Sequence, residues 1–269
     1  VPTIDVNDTT LAYDEVGDPD GIPLLLSHSL FFTRRMFDPL IEQLGAGYRV
    51  VAYDHRGQGE SASAPVEQLD MDTLSEDAAA LIEALDLGPC HVVGNSMGGF
   101  IALRLAARRP DLVRSAVAVG SSAEEEHSLA EFAPLVAHMQ ANGTADVIDT
   151  LMYIMFGDTS LAEPSAQTLA WRTYMLGLDH SIGDAANQVI HRRRLVEELD
   201  GCGVPVLAIA GAEDHAYPPP LSSDALAAAS GGRSVVVTAA GHSVSLEQSA
   251  VVAGHLRAHL ADLEAGVPA

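Results

Sequence analysis

The chain has 269 residues, and its 48% hydrophobic and 19% charged content is a globular balance that excludes a disordered or collagen-like polymer. Basic residues number 14 against 37 acidic ones, a formal charge of −23 that repels phosphate backbones and anionic lipid, so neither nucleic acid nor a membrane surface is an expected partner. Every basic residue is Arg, which excludes Schiff-base and Lys-base chemistry.

Short apolar runs alternate with longer helical patterns. Residues 4–6 and 11–16 flank Asn7-Asp8 and read as an antiparallel hairpin. Residues 23–27 form a buried strand, followed by a loop and an amphipathic stretch at 36–44. A further strand at 49–53 runs into the turn-rich Asp54-His55-Arg56-Gly57-Gln58-Gly59. In 73–85 the residues Leu74, Ala78, Leu81, Ile82 and Leu85 share one helical face. A strand at 91–93, a helix at 100–109 stopped by Pro110, and a strand at 115–119 follow. No strand pattern appears in 121–200, which is helical in character and rich in Met and aromatic residues. Strands resume at 204–210 and 234–238, and a helix over 246–263 closes the chain. The expectation is an α/β fold, a mostly parallel eight-stranded sheet flanked by helices. Its core domain would comprise 1–120 and 201–269, with 121–200 inserted as a helical cap.

Cys90 and Cys202 each precede a predicted strand and read as reduced, structural thiols. Val1-Pro2-Thr3-Ile4-Asp5 lacks a signal pattern, and no apolar run approaches the ~18 residues of a membrane span, so a cytoplasmic location is expected.

The chemistry concentrates at Gly94-Asn95-Ser96-Met97-Gly98-Gly99, a G-x-S-x-G between a strand and a helix. A sharp strand-to-helix turn crowds the backbone beside Ser96, and residues without a Cβ fit at Gly94 and Gly98. A serine hydroxyl is a weak nucleophile near neutral pH and needs a base held by an acid. In this arrangement the acid follows the serine in the chain and the histidine comes last. Asp214 stands just past the strand at 204–210, and His242 lies in the loop after 234–238, so these three form the candidate catalytic set. The backbone N–H groups of Leu30 and Met97 are the candidate oxyanion donors. The His255/His259 pair lacks a third ligand, and no metal or cofactor is expected.

Ser27-His28-Ser29-Leu30, Asp54-His55-Arg56-Gly57-Gln58-Gly59-Glu60-Ser61, the run at 94–99, the run at 211–214 and Gly241-His242 together resemble the α/β-hydrolase superfamily over nearly the whole chain. The resemblance implies that Asp54 and Arg56 brace their loop. It also implies serine rather than carboxylate chemistry, since epoxide hydrolases and haloalkane dehalogenases on this fold carry Asp at the position of Ser96. Ser29-Leu30 and Met36-Phe37-Asp38-Pro39 are similar to the 3-oxoadipate enol-lactonase branch, although Phe31 stands where those relatives have Gly. The motif around Ser96 also resembles carbon–carbon hydrolases of ring-cleavage pathways, without their Gly-rich oxyanion loop.

The expected activity is hydrolysis of a small carboxylic ester or lactone. Carbon–carbon bond hydrolysis, cofactor-free perhydrolysis and a ligand receptor on the same fold stand as alternatives. A small molecule is the expected partner, and a homo-oligomer is compatible with the chain. Phe31 and Trp171 are the candidate substrate-binding residues. Arg34-Arg35 and Arg192-Arg193-Arg194 could pair with a substrate carboxylate but read first as structural or solvated, and Glu124-Glu125-Glu126-His127 reads as a solvated helix start.

Overall fold

The computed structural model describes residues 1–266. Among the described residues, eight strands form one sheet in the order β1-β2-β4-β3-β5-β6-β7-β8. They are β1 Thr3–Val6, β2 Thr9–Gly17, β3 Ile22–Ser27, β4 Tyr48–Tyr53, β5 Cys90–Asn95, β6 Val113–Val119, β7 Val206–Gly211 and β8 Arg233–Val237. β2 pairs antiparallel with both β1 and β4, and the pairings from β4 through β8 are parallel. β5 and β7 are buried at every position, as parallel strands covered on both faces must be.

The order matters for the site. From β3 the chain steps outward to β4, then returns across β3 to β5 and proceeds the other way. Loops leaving β3 and β5 therefore diverge at the carboxyl edge, opening the crevice where ligands bind in such sheets. β3 and β5 are direct neighbours there, with Ser27 opposite Gly94.

The core helices are α1 Asp38–Leu44, α2 Met71–Ala84 and α3 Met97–Arg108. Asp70 starts α2 by accepting from the Asp72 and Thr73 N–H groups, which places the start two residues earlier than periodicity alone suggests. Between β6 and β7 there is no strand, only helices: α4 Leu129–Asn142, α5 Ile148–Met155, α6 Asp158–Ala162, α7 Ala166–Leu176, α8 Ser181–Ile190 and α9 Val196–Leu199. α10 Leu226–Ser230 follows β7, and α11 Val244–Glu247 and α12 Ser249–Glu264 follow β8.

The helices depart from the sequence reading elsewhere as well. The closing helix is broken at Gln248, whose φ of −129° and ψ of 48° are not helical. α10 was not anticipated, because the Ala-rich stretch lacks an apolar period of its own. α3 starts at Met97 rather than at 100, since Gly98 and Gly99 already have helical backbone. Cys90 is the buried first residue of β5, where burial pushes its thiol up to about 12; Cys202 is half-buried, and neither forms a disulfide. No helix among the described residues is long and apolar enough to cross a membrane.

Candidate active site

β5 ends at Asn95, and the chain reverses into α3 through Ser96, whose φ of 52° and ψ of −112° lie outside the regions a side chain favours. Close backbone approach explains the flanking glycines. A Cβ on Gly94 would sit 2.0 Å from the Gly98 carbonyl oxygen, and one on Gly98 would sit 1.9 Å from the Ser27 carbonyl oxygen. The Ser96 N–H is held by the Val119 carbonyl at 2.8 Å, and the Ser121 hydroxyl donates to the Ser96 carbonyl at 3.0 Å. The strained turn is thus fixed from β6.

The loop after β8 brings His242 to the same edge. Its Nε2 lies 2.7 Å from Ser96 Oγ, and its Nδ1 lies 3.0 Å and 3.2 Å from the two Asp214 oxygens. The pairing assigns the tautomer: Nδ1–H donates to the carboxylate, leaving Nε2 to accept from the hydroxyl. Asp214 Oδ1 also accepts the N–H groups of Ala216 and Tyr217, each at 2.8 Å, so the acid is anchored by backbone. Asn95 contributes from the elbow itself, its Nδ2 donating to the His242 carbonyl at 3.0 Å. All three side chains of the Ser–His–Asp chain are buried.

The Met97 N–H opens α3 and the Leu30 N–H lies in the loop after β3; among the described residues neither donates to a protein acceptor. That loop is braced from below. The His55 N–H donates to His28 Nε2 at 3.1 Å, so His28 Nδ1 carries the proton and donates to the Ser29 carbonyl at 2.8 Å. The two imidazoles pack with ring centres 4.2 Å apart, and burial holds both below the usual histidine pKa. Arg34 braces the next turn through Asp14, Asp54 and Glu60, while Arg56 ties the hairpin turn to α2 through Asp77 and the Asn7 carbonyl.

A cavity of about 70 Å³ opens onto Ser96 and His242. Leu30 and Phe31 line it from the core, and Phe31 has a φ of 68°. The helical segment supplies a largely aliphatic wall that includes Leu135, Val136, Leu151, Ile154 and Val189. That segment is pinned directly over His242. The Ser243 N–H donates to the Met155 carbonyl at 3.0 Å, and Glu247 accepts from the N–H groups of Gly157 and Gly241, each at 2.9 Å. Glu213, adjacent to Asp214, turns away and binds Thr159 of α6.

Two expectations are corrected. Trp171 is not among the residues lining the cavity; its ring packs on Phe32 at 4.8 Å and Tyr174 at 5.4 Å. Glu126 is not solvated. Its side chain is 1% exposed, pairs with Arg192 at 2.9 Å and accepts from the Tyr217 hydroxyl, and the residue lines the cavity. Arg192, read first as structural or solvated, takes the structural role, buried in that pair. Glu126 and Tyr217 were missed as site residues, and no local pattern marks them.

The profile of the alpha/beta hydrolase fold matches residues 22–249. The chain belongs to the alpha/beta hydrolase family. Among its relatives, the 3-oxoadipate enol-lactonase 1 of Acinetobacter baylyi is 29% identical over 209 residues, covering 74% of each chain. A non-heme chloroperoxidase of Streptomyces lividans is 29% identical over 224 residues, covering 78% of this hydrolase-family chain and 80% of its own. The solved enol-lactonase of Burkholderia xenovorans LB400 superposes with a TM-score of 0.88 at 27% identity, covering 97% of this chain and 100% of that one.

Proposed function

We propose that the protein is a cofactor-free serine hydrolase of a small carboxylic ester or lactone. The observation that carries this reading is the Ser96–His242–Asp214 chain, with 2.7 Å between Ser96 Oγ and His242 Nε2 at the mouth of the cavity. Ser96 Oγ attacks the acyl carbon as its proton passes to Nε2. The developing oxyanion accepts from the Leu30 and Met97 N–H groups, and the tetrahedral adduct collapses as Nε2 returns the proton to the leaving alkoxide. A water, deprotonated by the same nitrogen, then releases the acid and restores Ser96. Asp214 stays ionised, orients the imidazole and stabilises its cation. Residues 121–200 act as a lid whose aliphatic wall excludes water and favours a small apolar substrate; similarity to enol-lactonases supports a lactone among the substrates.

A second reading has one specific support, the similarity to a non-heme chloroperoxidase. Hydrogen peroxide in place of water at the acyl-enzyme would release a peracid by the same steps.

The test is an initial-rate assay of p-nitrophenyl acetate, p-nitrophenyl butyrate and a small lactone with wild type and Ser96→Ala, with acetate plus hydrogen peroxide as a peracid control. Turnover that disappears in the variant supports acyl transfer at Ser96, and the ester-to-lactone ratio ranks the substrates. Equal turnover in both proteins overturns the reading.

A further inference from the structure

We infer that Glu126 and Arg192 form a buried clasp that fixes Tyr217 and, through Tyr217, the Asp214–His242 pair; the inference rests on the hydrolase reading above. The two residues stand where the helical segment leaves the sheet and where it returns, 66 positions apart. The two ends also meet through backbone, with the Leu195 N–H on the Ala123 carbonyl at 2.8 Å.

Both charged side chains are 1% exposed. The Arg192 guanidinium lies 4.1 Å from the centre of the Phe100 ring and 5.2 Å from that of Tyr217. Its Nε and Nη2 have no hydrogen-bond acceptor among the described residues, while Nη1 donates to Glu126, its one carboxylate partner there, and to the Val189 carbonyl at 3.2 Å. On the Glu126 side, one oxygen accepts from Arg192 and from the Tyr217 hydroxyl, and the other takes the Ser128 N–H at 3.0 Å. Burial alone would raise the Glu126 pKa; the Arg192 charge and these bonds outweigh it and keep the group ionised.

Tyr217 is the link. Its ring centre is 5.4 Å from that of His242 and meets Phe100 edge-on at 5.8 Å. Its own N–H holds Asp214 Oδ1. The phenol cannot swing without leaving Glu126, and the backbone cannot shift without releasing the acid. A buried ion pair is weak evidence for stability, since apolar residues of similar volume often replace one without loss. Here the pair has a geometric consequence, because displacements of about 1 Å near the chemistry cost rate steeply.

The experiment uses two variants of the full chain with p-nitrophenyl butyrate, read by kcat, KM and thermal midpoint. Tyr217→Phe leaves the ion pair and removes only the hydroxyl link. The Glu126→Leu/Arg192→Met double variant removes both charges together, so no charge is stranded. The expected result is a kcat about tenfold lower in each, with KM within about twofold and a midpoint near wild type, and no further loss when all three substitutions are combined. Wild-type kcat in both, or a lowered midpoint with kcat intact, overturns the clasp as a positioning device. Ser96→Ala run alongside separates that failure from failure of the hydrolase reading, which would show as turnover that survives in Ser96→Ala.

Discussion

Gly98→Ala probes the link between the nucleophile turn and the loop after β3. The new methyl would lie 1.9 Å from the Ser27 carbonyl oxygen, 2.4 Å from its carbon and 2.9 Å from the His28 carbonyl oxygen, all backbone atoms. A Cβ contact below 3.0 Å is not tolerated, so the loop carrying Leu30 or the start of α3 must retreat by about 1 Å. Overpacking of this kind costs about 1–3 kcal/mol of stability. The larger effect falls on rate. An oxyanion donor works at about 2.7–3.1 Å, and losing one costs about 10²–10³-fold in kcat. The assay is kcat for p-nitrophenyl butyrate beside a urea unfolding curve, at a temperature where the variant is fully folded. Gly254, on α12 with open space around its Cβ position, supplies the control substitution Gly254→Ala, which should leave kcat unchanged. A Gly98→Ala protein with wild-type kcat would refute the claimed contact between the elbow and the oxyanion loop.

Further outcomes follow from other parts of the site. Asp214→Asn should lower kcat by about 10³–10⁴-fold with an unchanged circular dichroism spectrum, because the imidazole loses its orienting acceptor; a loss below tenfold would contradict the role. Val136→Phe should fill the cavity wall and depress butyrate turnover far more than acetate turnover, whereas Trp171→Phe should leave that ratio unchanged because Trp171 packs on Phe32 and is not among the lining residues. Burial lowers His91 to about 4, with the Arg114 charge adding, and lowers His259 to about 4 with help from the Arg233 charge. Both stay neutral in the fold while the unfolded chain takes up protons from about 6.5 downward. Stability is therefore intact above that value and falls as the pH drops from about 6.5 to about 4. Urea midpoints across this range should decline, and less steeply in His91→Phe; a flat profile in wild type would contradict the burial argument.

The parts of the site that could be read from the sequence are those set by local constraint or by chain order. The turn at Ser96 needs residues without a Cβ two positions to either side, which leaves a visible spacing. Asp214 and His242 lie just past the last two strands, where chain order alone puts the sheet edge. The clasp was invisible for the opposite reason. Glu126 sits in an acidic run that looks solvated, and its partners lie 66 and 91 positions away with nothing in their neighbourhoods to mark them. Trp171 failed because size and polarity do not tell which face of a helix meets the cavity; the aliphatic residues of α4, α5 and α8 line it instead. The break at Gln248 was hidden because an apolar period continues across it.

The most direct measurement of the central claim is active-site labelling with a fluorophosphonate ester, followed by intact-mass and peptide analysis. The account predicts one adduct per chain, located on Ser96, with loss of ester turnover in proportion to labelling and no adduct on Ser96→Ala. Turnover that survives full labelling, or an adduct on another residue that tracks the loss of activity, would contradict it.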